Sequence, residues 1–290
     1  MFIGSAIATG SYNSMVAGTP ADAAYVPLLL DNPHSVQFGA GNYFRAYPAA
    51  YSIPTDNYSF TMGGWFKTRP ISVAGELNMM SVLPFSVEIN SFYQYGETGI
   101  GLTLTTFTGG GQTQEVHRVA DVGFSNASQD WHHVIMSFES QTRVKLFLDG
   151  VKVIDEPTTK EALTAMPIFN IFTADYRIGQ GGGEFNAVAT WERCLTESEI
   201  IELYNGNCMV DPRDTNLTSS NDLSDLWLMG GGTTATGSPA DDFAGYTGIV
   251  PGTTMVVRST VSPAHRGLQS HNGILLVDDP RLTNQPTCTP

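Results

Sequence analysis

Basic residues are scarce in this chain. Fourteen Lys plus Arg stand against 28 Asp plus Glu, a formal charge of -14, and an excess of that sign repels phosphate backbones and anionic lipid surfaces. Nucleic acid and membrane are therefore not expected as partners. No Lys or Arg precedes Arg45, so "MFIGSAIATGSYNSMVAG" lacks the positive flank of a secretion signal, and no apolar run approaches the ~20 residues that span a bilayer. The expectation is a chain without an ordinary export signal. Cysteine is also sparse: Cys194, Cys208 and Cys288 are an odd number at irregular spacing, with no C-x-x-C clip. Free thiols kept in a reducing cytosol are the simpler reading, and a Cys208–Cys288 link tying down the tail is the alternative.

Charged residues make up only 14% of the chain, whereas 30 Gly and 16 Pro supply turn material throughout. That balance belongs to short strands joined by many turns rather than to long helices. With 41% hydrophobic residues over 290 positions, one large all-β core or two modest ones can be buried without staples. Residues 1–33 are rich in Gly, Ala, Ser and Thr around the single apolar piece "VPLLLDNP", the texture of an arm that needs a surface to lie on. From Ser35 onward, "SVQFGAGNYF", "YSFTMGGWFK", "IGLTLTTFT", "WHHVIMSF", "VKLFLDG" and "YRIGQGG" are β-branched and aromatic runs broken by Gly, Asn, Asp and Pro. These are strands. In "RVKLFLDGVKVID" Val144, Leu146 and Leu148 alternate with Lys145, Phe147 and Asp149, and Asp149-Gly150 is a two-residue hairpin turn that tolerates positive φ. One helix is legible in "LTESEIIELYNG": Thr196 and Glu199 form a capping box, Glu197 and Glu199 favour the positive helix end, and Gly206 stands where a left-handed cap is wanted. Its Ile200, Leu203 and Tyr204 face must pack on the strands. The predicted organisation is an N-terminal arm (1–33), a sandwich (34–208) and a loop-rich C-terminal segment (209–290) that adds strands or forms a small β subdomain.

Taken in order, "SVQFGAGNYF", "YSFTMGGWFK", "DWHHVIMSFE", "VKLFLDGVKV", "YRIGQGGG" and "FNAVATWERCLTESEIIELYNG" resemble the laminin G-like, concanavalin A-like lectin family over residues 35–206. The resemblance implies an antiparallel jelly-roll β-sandwich with one short helix and extended terminal segments. The sequence departs from the family at Asn186, where an Asp is usual, and at Trp191, where a Tyr or Phe is usual. "LSDLWLMGGGTTATG" looks like a piece that often precedes the first strand of such domains, yet here it follows the helix. That order is similar to lectin-like structural proteins of tailed bacteriophages.

Enzymes on this fold that cleave β-glucans carry two Glu and an Asp on alternate residues of one strand, because acid and nucleophile must sit ~5 Å apart. No such pattern occurs, and the nearest acids, Asp149, Asp155 and Glu156, are split by a turn and belong to hairpin ends. Gly-x-Ser-x-Gly, His-Glu-x-x-His and phosphate-loop motifs are also absent, and "GQGGG" at Gly179–Gly183 lacks the Lys and following helix of a phosphate loop. The adjacent His132 and His133 suggest a reactive or metal-binding pair, but neighbouring side chains on a strand point to opposite faces. Each is expected to be a satisfied strand histidine in its own surroundings. Calcium is the ligand the resemblance implies, with Asn42, Asp56, Asn57 and Asp130 as loop oxygens; turn chemistry explains the same residues. A glycan site would need exposed aromatics beside hydrogen-bonding groups, and "EINSFYQYGETG" offers Phe92, Tyr93 and Tyr95 with Asn90, Gln94 and Glu97 in an expected loop. The same aromatics could equally cover a core edge or meet a neighbouring subunit.

The leading expectation is a non-catalytic virion protein of the capsid-decoration or head-fibre type, made in the host cytoplasm. It would be fastened by its terminal segments to the major capsid protein, other virion proteins or symmetry mates in a homo-oligomer, with loops that touch host glycans. A soluble or cell-surface carbohydrate-binding lectin is the alternative, and a glycoside hydrolase comes third.

Overall fold

The computed structural model describes residues 27–30, 34–38, 43–47, 59–67, 76–83, 87–94, 99–108, 111–120, 130–139, 141–159, 175–178, 183–206, 208–228, 248–249, 256–258, 267–271 and 275–278. The strands are β1 His34–Phe38, β2 Tyr43–Tyr47, β3 Ser59–Lys67, β4 Glu76–Leu83, β5 Val87–Gln94, β6 Ile100–Thr108, β7 Gly111–Val119, β8 Trp131–Glu139, β9 Arg143–Leu148, β10 Val151–Pro157, β11 Asp175–Ile178 and β12 Gly183–Trp191. After them come helix α1 Glu197–Tyr204, a 3-10 helix Thr218–Asp222, and strands β13 Leu223–Trp227, β14 Gly248–Ile249, β15 Val256–Arg258, β16 Gly267–His271 and β17 Leu275–Asp278.

Two antiparallel sheets form a jelly-roll sandwich, the all-β architecture expected. The first runs β10-β9-β8-β3-β12-β1-β17-β14, with β13 also paired to β12, and the second runs β15-β16-β2-β11-β4-β5-β6-β7. Strands after residue 209 enter both sheets: β17 lies beside β1 and β16 beside β2.

Cross-strand register sorts each side chain to a face. On the first sheet Phe60 faces Phe138, Met62 faces Met136, Val134 faces Leu148 and Met136 faces Leu146, all of them buried. These side chains, with the Phe185 ring 4.6 Å from Phe66 and tilted 45° to it, fill the space toward the second sheet, where Ile100, Leu102 and Leu104 are buried in turn. The opposite face of the first sheet is buried too. Ile135, Phe147, Ala189 and Trp191 pack there against Leu195, Ile200 and Leu203 of the helical region and Val210, Leu217, Leu223 and Leu226 of the following segment. Phe147, which alternation alone would turn to water, is thereby enclosed.

The helix that closes this layer is held as its sequence predicts. Thr196 accepts from the Glu199 backbone N–H, and the Thr196 backbone N–H donates to Glu199 Oε2 at 2.8 Å. Arg193 grips Glu199 through two hydrogen bonds of 2.9 and 2.6 Å and reaches Asp222 at 2.7 Å. The left-handed cap begins one residue earlier than expected, at Asn205 (φ 43), with Gly206 (φ 62) following. The N-terminal segment is fastened to the same layer. Leu30 N–H donates to Met209 C=O, Asp211 N–H to Leu28 C=O, and Leu28 N–H to Asp214 Oδ2, each at 2.8 Å.

The centre of β3 is constrained by its neighbours. β12 bulges between Asn186 and Ala189, with Ala187 at φ 47. A Cβ on Gly64 would lie 2.9 Å from Val188 Cα, and one on Gly63 would lie 2.8 Å from Val134 C=O. Both positions need glycine because flanking backbone occupies the space of a side chain.

Candidate functional site

The β9–β10 turn organises the two histidines. Asp149 and Gly150 take φ 51 and 75, the left-handed pair of a tight hairpin turn. This orientation turns the Asp149 carboxylate back onto β8: Oδ2 meets His132 Nδ1 at 2.8 Å, and Oδ1 accepts from the His133 backbone N–H at 2.8 Å. The imidazoles do lie on opposite faces, His132 opposite Phe66 and His133 opposite Trp65. One carboxylate nevertheless ties both residues down, a link that strand parity alone could not reveal.

His133 is only 6% exposed. Its ring lies 5.0 Å from Trp65 and stacks at 6.2 Å on Tyr204 of α1. Burial pushes its pKa down to about 4 against the opposing pull of Asp149. Nδ1 has no hydrogen-bond partner. A cavity of about 10 Å³ bordered by Gly63, Gly64, His133, Ala187 and Trp191 lies beside it, roughly the room one water needs. The arrangement joins helix to sheet.

A second buried polar group lies on the same face. Lys67 Nζ is 2.7 Å from Glu184 Oε2, Ser35 Oγ donates to that oxygen at 3.2 Å, and Lys67 sits 5.1 Å from the centre of the Trp131 ring. This knot joins β1, β3, β8 and β12. The hairpin acids behave as a rim: Asp155 pairs with Lys152 and, secondarily, Arg143, which hold its carboxyl below the usual range, and Glu156 is exposed.

The outward face of the second sheet is of another kind. Register places Gln269, Arg45, Arg177, Ser81, Asn90, Thr103 and Val116 on one rung across seven strands. The next rung in one direction carries Glu88, Thr105 and Gln114, and in the other Phe92, Gly101 and Arg118. Because Ile100, Leu102 and Leu104 point into the core, these alternate positions face away from it, and Gln114, Val116 and Arg118 are exposed. Thr103 is buried, and its Oγ1 has no hydrogen-bond partner.

Of the aromatics proposed for a glycan site, Phe92 and Tyr93 lie in β5, not in a loop, because the ladder with β4 and β6 extends through both. Register puts Phe92 opposite Gly101 on the polar face and Tyr93 opposite Ile100 on the other. Tyr95 lies outside the described residues, as do Asn42, Asp56 and Asn57 of the calcium set; Asp130 is exposed at the start of β8. Among the described residues no three His, Cys, Asp or Glu side chains converge as a metal site would require, and no helix is long and apolar enough to cross a membrane. The free-thiol expectation holds for Cys194, whose pKa burial raises. It fails for Cys208, which is disulfide-bonded. Strand parity could have flagged the polar rung, but only cross-strand register assembles it.

Two antiparallel sheets, the Trp strand and the closing strand-plus-helix define a lectin-like sandwich. The chain belongs to the concanavalin A-like lectin/glucanases superfamily, whose family model matches residues 38–201. No curated protein matches it significantly. Among solved structures it is similar to the CBM40 of a Ruminococcus gnavus IT-sialidase, solved bound to α2,6-sialyllactose, at 14% identity and TM-score 0.39 over 57% of this chain and 100% of that one. It is similar as well to the binding domain of botulinum neurotoxin DC in complex with SialylT, at 12% identity and TM-score 0.35 over 51% of this chain and 35% of that one. The receptor-binding domain of botulinum neurotoxin C/D mosaic serotype gives 11% identity and TM-score 0.37 over 60% and 51%. The chain thus spans about a third to a half of those neurotoxin domains. Likenesses this loose say nothing of what the chain binds.

Proposed function

We propose that this protein is a non-catalytic, lectin-like module whose outward sheet face takes a glycan. The supporting observation is the row of mostly polar positions that register sets across seven strands, which ends on β7 where Gln114, Val116 and Arg118 are exposed. Carbohydrate recognition needs several hydrogen-bonding groups beside an aromatic, and register puts the positions of Asn90, Phe92 and the exposed Gln114 on that face. The test is a glycan array with the full chain, with and without calcium. A competable signal that falls on Gln114→Ala or Asn90→Ala supports the reading; absence of any competable signal under both conditions overturns it. Turnover on a β-glucan panel would revive a glycosidase.

A virion role, as a capsid-decoration or head-fibre protein bound to capsid proteins, is the second reading. It is favoured by a trailing segment that enters both sheets through β13 to β17. Residues 27–30 are fastened to the sandwich, so an arm used for attachment would end near residue 26. Deleting 1–26 should leave a soluble sandwich that no longer co-sediments with particles. Continued particle binding by the truncated chain would remove the arm from the argument.

A further inference from the structure

We propose that the chain self-associates edge to edge through β7, pairing antiparallel with a second copy about a two-fold axis so that two sheets become one. β7 ends the order of the second sheet, and no described strand pairs with its other side. Its nine residues hold unbroken register with β6 from Ile100–Val119 to Thr108–Gly111. The sequence GQTQEVHRV carries no proline and no lysine and its ladder with β6 has no bulge, so three of the devices that blunt an open edge are missing, while Glu115 and Arg118 put charge on it. β10 approaches from the other sheet, where Thr158 Oγ1 donates to Glu115 Oε2 at 3.4 Å; it lies behind β7 and forms no ladder with it.

The edge is self-complementary about one residue. A two-fold axis perpendicular to the sheet preserves faces, so directly opposed residues must share parity and the axis must pass through a residue pair. Centred on Val116, it sets Glu115 of each copy against His117 of the other, Gln114 against Arg118, and Val116 against itself. Val116 is 42% exposed, one of the few large apolar side chains on the described surface with that exposure. Glu115 and His117 already pair at 2.8 Å within one chain, so the junction would let each carboxylate meet two imidazoles. Centring on Glu115 would oppose two carboxylates, and centring on His117 would oppose two imidazoles and set Val116 against Arg118. Opposed carboxylates are destabilising on a sheet and a Val116–Arg118 pair matches no apolar surface, so of these three centres Val116 is preferred.

The test is the mass of the full chain by light scattering over a dilution series, comparing wild type with Val116→Lys. Val151→Lys is the control, because Val151 is 63% exposed but lies on β10. Wild type and the Val151 variant should dimerise alike, with Val116→Lys at least tenfold weaker. Because directly opposed Cβ atoms lie about 4.5–5.5 Å apart, Val116→Cys should give a disulfide-linked dimer on mild oxidation, and Val151→Cys should not. A wild-type chain that stays monomeric at every concentration overturns the proposal. So does a dimer that Val116→Lys leaves intact, or one that Val116→Cys fails to link.

Discussion

Acid should loosen the helical layer through His133. In the unfolded chain this imidazole titrates near its ordinary 6.5, whereas burial holds it at about 4 in the fold. The folded state therefore binds fewer protons than the unfolded state between those values, and stability falls as pH drops. No penalty exists well above pH 6.5. At pH 5 the unfolded imidazole is almost fully protonated while the folded one is mostly neutral, and at 1.36 kcal/mol per pKa unit the loss is about 2 kcal/mol. By pH 4 it approaches about 3 kcal/mol and then levels off. Urea unfolding at pH 7 and pH 5 measures it, with His133→Phe as reference. Phenylalanine keeps an aromatic ring between Trp65 and Tyr204 and cannot titrate, and pH 5 lies above the range of most carboxylates. Wild type should lose about 2 kcal/mol more than the variant over that interval. Equal losses in both proteins would show that His133 is not buried as a neutral group, and the account of the stack would fail.

Four further outcomes follow from the packing. Gly63→Ala would set a Cβ 2.4 Å from Ile135 Cγ1 and 2.8 Å from the Val134 carbonyl; a loss of about 3 kcal/mol or failure to fold is expected in thermal melts. Lys67→Met leaves Glu184 buried without its cation and should cost about 3–5 kcal/mol, whereas Lys67→Met with Glu184→Leu should recover much of that, a difference read from urea midpoints. Thr196→Ala removes the capping box and should cost about 1 kcal/mol. Asp214→Ala withdraws the acceptor of Leu28 N–H; hydrogen exchange at Leu28 and Leu30 should quicken well before the core amides.

Much of the sandwich was legible because its signals are local. Asp149-Gly150, the Thr196 to Glu199 box and the "WHHVIMSF" alternation each rest on residues a few positions apart, where sterics and hydrogen bonding decide. The β5 aromatics were misjudged, and the burial of Phe147 was not foreseen, for a different reason. Phe147 is enclosed by residues 195–226, so a strand that should have had one wet face has none. Phe92 and Tyr93 lie in a strand because β4 and β6 pair on both sides of them, and pairing energy outweighed the polar, turn-like composition of "EINSFYQYGETG". The candidate binding face was hidden because its members stand far apart in the chain, from Arg45 to Gln269.

By itself the sequence determined the class of fold, the hairpin, the helix caps and the opposite facing of His132 and His133, because backbone sterics and two-residue periodicity act over short spans. The tertiary structure alone decided what covers each face: a helical layer over one sheet and a polar rung on the other. It also decided that Asp149 joins both histidines, that Lys67 meets Glu184, and that β7 is left as an edge. Burial and register depend on contacts between distant segments, and no local pattern encodes which segment arrives.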